Sequence, residues 1–259
     1  MPLHMPERPP SAYSLISKVI AHRGASGSAP ENTASAIIEA ARLGAEWAEV
    51  DVTISADGHA IIFHDHNLVR CTDGTGLVIQ KTLAELKELD AGSWYSPFCS
   101  EERILTFEEL LLLAESLNLN LNLEIKPTIG REAETVWAMH KVLQKTSFSQ
   151  AILISSFNYF ALKEAQSLLP HYTRALNVEA IPADWQERLE SVGAEGLHFD
   201  AQFIDTAAIA EVVSSDTPLC CFTVNDFETA QRLFQTGVSA VFTDYPERLI
   251  LNAEPVERH

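Results

Sequence analysis

The apolar run Val19-Ile20-Ala21 gives way to His22, Arg23 and Gly24 in succession, and the run Ile61-Ile62-Phe63 stops in a similar way at His64. Imidazoles titrate near neutral pH, so two of them at one site could act as general base and general acid. Two other stretches alternate in polarity. In WAEVDVTI, Glu49 and Asp51 lie two residues apart, and in LNLNLEIKP so do Asn120, Asn122, Glu124 and Lys126. Residues two apart in a strand share a face, so each stretch has one polar face and one face of Val, Leu and Ile. Glu49, Asp51 and Glu124 together would offer hard oxygen donors, suited to Mg²⁺ or Ca²⁺, with Mn²⁺ as an alternative, rather than to zinc.

What these faces do depends on the elements that carry them. In an antiparallel sheet with one wet side, the acidic face would be solvated and chemically idle. In a barrel jacketed by helices, the apolar face turns outward and the carboxylates turn inward, where burial is costly unless a cation offsets their charge. The periodicity favours the barrel. Strand-like runs over Val19–His22, Ala48–Ile54, Ala60–His64, Leu119–Lys126, Ile152–Ser155, Thr173–Val178, Gly196–Phe199, Leu219–Val224 and Ala240–Thr243 mostly alternate with helical patterns. Thr82 with Glu85, and Thr106 with Glu109, have the spacing of capping boxes. About eight strand units separated by helices in 259 residues predict a (β/α)8 TIM barrel, with an open doubly wound sheet as the other arrangement. The turn-rich, aromatic stretch at about 65–102, after the second barrel strand, is expected to be a small inserted cap over one end.

Ligands of the site follow from charge. The formal net charge of −18 disfavours nucleic acid and anionic membrane as partners, while a small anionic substrate would need local cations. Arg23 could grip a phosphate through its planar fork and Lys126 could add a second positive charge; ion pairing with the nearby carboxylates is the alternative for both. Gly24 would let backbone come close to a ligand, and Asn32 or Thr33 is expected to cap the helix after Pro30. His198 is expected to be a satisfied interior histidine and His59 a surface one. Cys71, Cys99, Cys220 and Cys221 show no CxxC spacing and are expected to be free thiols, mostly buried. Residues 1–18 carry Pro and charge without the apolar core of a secretory signal, so a flexible arm and a cytoplasmic protein are expected, with residues 19–259 forming one domain. No apolar run approaches membrane-spanning length. Whether the protein is a monomer or a homodimer is left open.

Taken together, His22-Arg23-Gly24-Ala25 with Pro30-Glu31-Asn32-Thr33, Glu49-Val50-Asp51, His64-Asp65, Asp90–Ser96 as DAGSWYS, and Asn122–Pro127 as NLEIKP resemble the glycerophosphodiester phosphodiesterases, closest to the bacterial cytosolic type. The motifs keep the family's order from about Val19 to Asp244. The resemblance implies a capped TIM barrel, one divalent cation on Glu49, Asp51 and Glu124, and His22 with His64 as the acid–base pair. Arg23 and Lys126 would hold the phosphodiester. It further implies hydrolysis to sn-glycerol 3-phosphate and a free alcohol such as choline or ethanolamine. In the expected reaction, one imidazole deprotonates the glycerol 2-hydroxyl, which attacks phosphorus, while the other protonates the leaving alcohol. Two departures stand out. Phe222-Thr223-Val224-Asn225 replaces the family's frequent Trp-Thr-Val-Asn, leaving Phe222 as an aromatic wall without an indole donor, and His66 replaces a frequent Pro. Related lysophospholipase D-type barrels, and a binding protein without turnover, share this residue logic and are the rival expectations.

Overall fold

The computed structural model describes residues 10–250. Eight parallel strands close into a ring: β1 (Val19–His22), β2 (Trp47–Ile54), β4 (Asn120–Ile125), β5 (Ile152–Ser156), β6 (Thr173–Val178), β7 (Gly196–Asp200), β8 (Leu219–Phe222) and β9 (Ala240–Thr243). β1 pairs with β2 on one side and with β9 on the other, which completes the barrel. The helices α1 (Ala34–Arg42), α3 (Phe107–Ser116), α4 (Glu132–Lys145), α5 (Tyr159–Leu168), α6 (Trp185–Val192), α7 (Thr206–Ser214), α8 (Phe227–Gln235) and α9 (Pro246–Ile250) follow the strands. This is the (β/α)8 architecture that the alternation predicts.

Strand parity behaves as a barrel requires. Ala48, Val50, Val52 and Ile54 of β2, with Leu121, Leu123 and Ile125 of β4, pack outward into one apolar cluster with Ile37, Leu110, Val136 and Met139 of the surrounding helices. The opposite parity faces the barrel axis. There, Ile20, Trp47, Leu153, Ala175, Cys220 and Phe242 form a smaller interior cluster. The two cores divide the strand residues between them, so a one-residue slip in register would exchange an oily face for an acidic one.

β3 (Ala60–Ile62) departs from the expected pattern. It is not a barrel stave but runs antiparallel to β2, pairing Val52 with Ile62 and Ile54 with Ala60. β1 is only four residues long and its last pairing, His22 with Glu49, leaves the upper edge of β2 unpaired. β3 occupies that edge, and the chain then turns into the cap. The cap contains α2 (Leu83–Lys87), short 3₁₀ turns at Leu68–Arg70, Val78–Gln80 and Pro97–Cys99, and its own apolar core of Phe63, Leu68, Cys71, Val78, Leu86 and Ala91 with Ile61 and Ile104. The Tyr95 hydroxyl donates to the Gly27 carbonyl (3.0 Å), tying the cap to the loop after β1. Both capping boxes form, at Thr82 and Thr106.

Of the arm expected over residues 1–18, the first nine lie outside the described residues; from residue 10 onward the chain is packed rather than free. Ala12–Leu15 makes a 3₁₀ turn across the N-terminal end of the barrel. The Ala12 amide donates to Thr173 Oγ1 (2.8 Å), Trp47 Nε1 donates to the Leu15 carbonyl (3.0 Å), and Tyr13 Oη meets Nε2 of His198 inside the barrel (2.9 Å). Gly196 makes room for this plug, since a Cβ there would lie 2.3 Å from the Tyr13 oxygen. All four cysteines are free, with Cys71, Cys220 and Cys221 buried. No helix among the described residues is long and apolar enough to cross a membrane.

Candidate active site

The site lies at the C-terminal mouth of the barrel, where short βα loops gather side chains from different strands. A cavity of about 280 Å³ is lined by His22, Arg23, Glu49, His64, Glu124, Lys126 and Phe222, together with Asn122, Ser155, Phe157, Asn177, His198 and Asp200. Inward-facing parity brings Glu49, Asp51 and Glu124 together, with one oxygen of each within 4.8 Å of the others. β2 and β4 run in register, so Asp51 lies beside Glu124 and Glu49 beside Asn122.

The loop after β1 is shaped around these carboxylates. Arg23 and Gly24 both take positive φ, 55° and 77°. This turn points the Arg23 amide at Glu49 Oε2 (2.9 Å) and brings the Gly24 amide to the Glu49 carbonyl (3.2 Å). Thr33 caps α1, as one of the two expected candidates. Asn32 does something different: its amide nitrogen donates to Asp51 Oδ2 (2.9 Å) and its oxygen accepts from the Asp51 backbone (3.2 Å). It therefore fixes the rotamer of a carboxylate at the centre of the site.

Each histidine is braced from behind. His22 Nδ1 lies 2.7 Å from Asp244 Oδ1, just past β9, and Asp244 also accepts from Ser26 Oγ (2.9 Å) and Asn225 Nδ2 (2.7 Å). Burial would raise the Asp244 carboxyl, but these bonds and the His22 charge hold it down at about 2. An ionised carboxylate only accepts, so Nδ1 carries a proton and Nε2 is the nitrogen left for chemistry. His64 Nδ1 meets Asp65 Oδ1 at 2.6 Å in the same manner, and burial lowers the His64 imidazole below its ordinary value. His64 reaches the mouth two residues beyond the antiparallel β3, so the two histidines do not close equivalent strands.

The electrostatics of the cluster suit a bound cation. Burial, followed by the like charges of Asp51 and Glu124, pushes Glu49 well up. Burial also lifts Glu124, to about 7, against the pull of Lys126. Asp51 feels the same burial, but Arg23, His64, Lys126 and the Asn32 bond outweigh it and hold Asp51 low. Arg23 Nε stands 3.4 Å from Asp51, while Lys126 Nζ stands 3.1 Å from Glu124 and 3.9 Å from Asp51. Glu49 Oε1 is buried with no hydrogen-bond donor. A carboxylate oxygen orphaned beside two others suits a hard divalent cation. Opposite, Phe222 and Phe157 meet edge to face at 5.7 Å, and Lys126 Nζ lies 5.8 Å from the Phe157 ring centre.

The model for the "Glycerophosphoryl diester phosphodiesterase family" matches residues 22–248. The chain belongs to this family. A glycerophosphodiester phosphodiesterase of Caldanaerobacter subterraneus is 33% identical over 235 residues, covering 90% of this chain and 96% of the relative. A solved Oleispira antarctica phosphodiesterase, in complex with the product sn-glycerol-3-phosphate, is 44% identical, with a TM-score of 0.91 over 93% of this chain and 98% of that one. The His22-Arg23-Gly24 and Glu49-Val50-Asp51 motifs that carry the resemblance fall at the end of β1 with its following loop, and on β2. Several contributors have no role in the sequence reading: Asp244 with its donors Asn225 and Ser26, Phe157, Glu31 beside Arg23, and the bracing function of Asp65. Asp65 has a local signal in its place beside His64, and Glu31 and Asn225 lie within the motifs that carry the resemblance.

Proposed function

We propose that this protein is a cytoplasmic, metal-dependent glycerophosphodiester phosphodiesterase that releases sn-glycerol 3-phosphate and an alcohol by two-histidine acid–base catalysis. The observation that carries the reading is the pair of imidazoles, each held at Nδ1 by a carboxylate and both lining the cavity onto which Glu49 and Glu124 of the carboxylate cluster open. Family membership and the product bound to the Oleispira antarctica relative support the substrate class. The free cysteines support the compartment.

Glu49, Asp51 and Glu124 would hold the cation, Mg²⁺ or Ca²⁺ with Mn²⁺ as an alternative, which when bound supplies positive charge for the non-bridging phosphate oxygens. Arg23 and Lys126 bind the phosphodiester from the flanks. One imidazole takes the proton of the glycerol 2-hydroxyl as its oxygen bonds to phosphorus. The bond from phosphorus to the alcohol oxygen breaks, and the other imidazole protonates that oxygen. Water then opens the cyclic phosphate with the two roles exchanged, returning each imidazole to its starting state. Phe222 and Phe157 form the apolar wall of the cavity.

The test is release of glycerol 3-phosphate from glycerophosphocholine and glycerophosphoethanolamine, by protein stripped with chelator and resupplied with Mg²⁺, Mn²⁺ or Ca²⁺. Turnover is expected only with cation. No release under any cation would overturn the reading in favour of a binding protein. Faster turnover of lysophosphatidylcholine would move the substrate class to lysolipids. A phosphodiester lacking the 2-hydroxyl is expected to react poorly, and equal turnover of it would replace internal attack by direct attack of water.

A further inference from the structure

Arg70 lies in the cap, in the 3₁₀ turn Leu68–Arg70, and its guanidinium grips two carboxylates at once. Nε and Nη2 donate to Asp65 Oδ2 and Oδ1 at 2.6 and 2.9 Å, while Nη1 and Nη2 donate to Glu31 Oε2 and Oε1 at 2.6 and 2.7 Å. The two oxygens that meet at Nη2 each hold a second group. Asp65 Oδ1 receives His64 Nδ1 at 2.6 Å, and Glu31 Oε1 receives Arg23 Nη1 at 2.8 Å. One nitrogen of the cap therefore touches both carboxylates behind the substrate-facing His64 and Arg23.

We propose that Arg70 is a positioning residue for the phosphodiester reaction, setting the His64 ring through Asp65 and keeping Arg23 available to phosphate through Glu31. The proposal rests on the reading of the site given above. Its charge logic is simple. Two guanidinium groups share Glu31, so its single negative charge does not neutralise Arg23 alone. Without Arg70, Glu31 would pair fully with Arg23 and compete with the phosphodiester for it. Asp65 would also lose both bonds that hold its carboxylate plane, and the His64 ring would turn with it. A lysine cannot replace this arrangement, because a point charge cannot fork onto two carboxylates. Arg70 is 44% exposed, so shortening it opens no buried cavity.

The variants are Arg70→Gln and Arg70→Lys, assayed as cation-loaded enzyme on glycerophosphocholine. Both are expected to lower kcat and raise KM, with kcat/KM down by roughly 10–100-fold, as for removal of outer partners of catalytic groups. The circular dichroism spectrum stays that of the wild type, and lysine gives no rescue of kcat or KM. In a Glu31→Gln background, Arg70→Gln still lowers kcat but no longer raises KM. A readout independent of turnover is the nitrogen-15 NMR signal of the His64 ring, expected to shift in Arg70→Gln. Unchanged kcat, full activity of Arg70→Lys, or a rise in KM with the His64 signal unmoved would each overturn the proposal. Should the wild type hydrolyse no glycerophosphodiester while the His64 signal still responds to Arg70→Gln, the assigned reaction falls and the positioning stands.

Discussion

Asp244 illustrates what a residue gains from a closed ring. It lies 222 positions from His22, yet it accepts a hydrogen bond from His22 Nδ1 and, in the proposed reaction, would stabilise the imidazolium formed when Nε2 takes a proton. Two substitutions separate the roles. His22→Ala is expected to lower turnover by roughly 10²–10⁴-fold, the range for loss of a general acid or base. Asp244→Asn is expected to lower it less, because the ring remains but its charged form loses its partner. Single-turnover rates, with a circular dichroism spectrum to check folding, measure both; an undiminished rate in His22→Ala removes that imidazole from the chemistry. The metal candidates and Lys126 were legible in sequence because parity alone decides which face a strand residue takes, and Arg23 because it follows directly on His22. Asp244 and Glu31 were not, since their partners depend on which strands become neighbours and which way a loop turns.

At the scale of elements, the loop from β1 into α1 is the tightest joint in the site. A Cβ on Gly24 would lie 2.6 Å from the Ala36 carbonyl carbon, and its φ of +77° is unfavourable for any side chain. Gly24→Ala is therefore expected to destabilise the fold by roughly 1–3 kcal/mol. It should also weaken activity by displacing His22 and Arg23. Urea unfolding would read the first effect, and an unchanged midpoint would show that α1 can retreat at no cost. The hairpin of β2 and β3 was only half legible. Its apolar residues announced a strand, but the direction of β3 depends on the free upper edge of β2, which exists because β1 is short.

The whole molecule carries a penalty in acid. His198 is fully buried between Tyr13 and Phe242, and burial pushes its imidazole down to about 3. The unfolded chain would protonate it near 6.5. At this residue the native state thus binds fewer protons between these values, so the contribution of His198 to stability is complete above about pH 6.5 and falls as pH drops toward 3, by up to about 1.4 kcal/mol per unit. Glu49 and Glu124, raised by burial, act in the opposite sense over part of this range, so the expected signature is a difference: between pH 7 and 4.5 the urea midpoint of the wild type falls relative to that of His198→Gln. Equal slopes in the two proteins would contradict the assignment. Sequence parity foretold an interior His198; its partner Tyr13 was hidden, because the opening segment looked too polar and Pro-rich to pack.

The same plug orders events while the chain is being made. Tyr13 leaves the ribosome 185 residues ahead of the histidine it docks against, and β1 must wait for β9 before its second edge is filled. Long-range closure of this kind comes late. A nascent chain stalled before Asp244 would hold His22, Arg23 and all three clustered carboxylates, and even the last strand of the ring, but would lack the brace behind its first imidazole, which arrives one residue after β9.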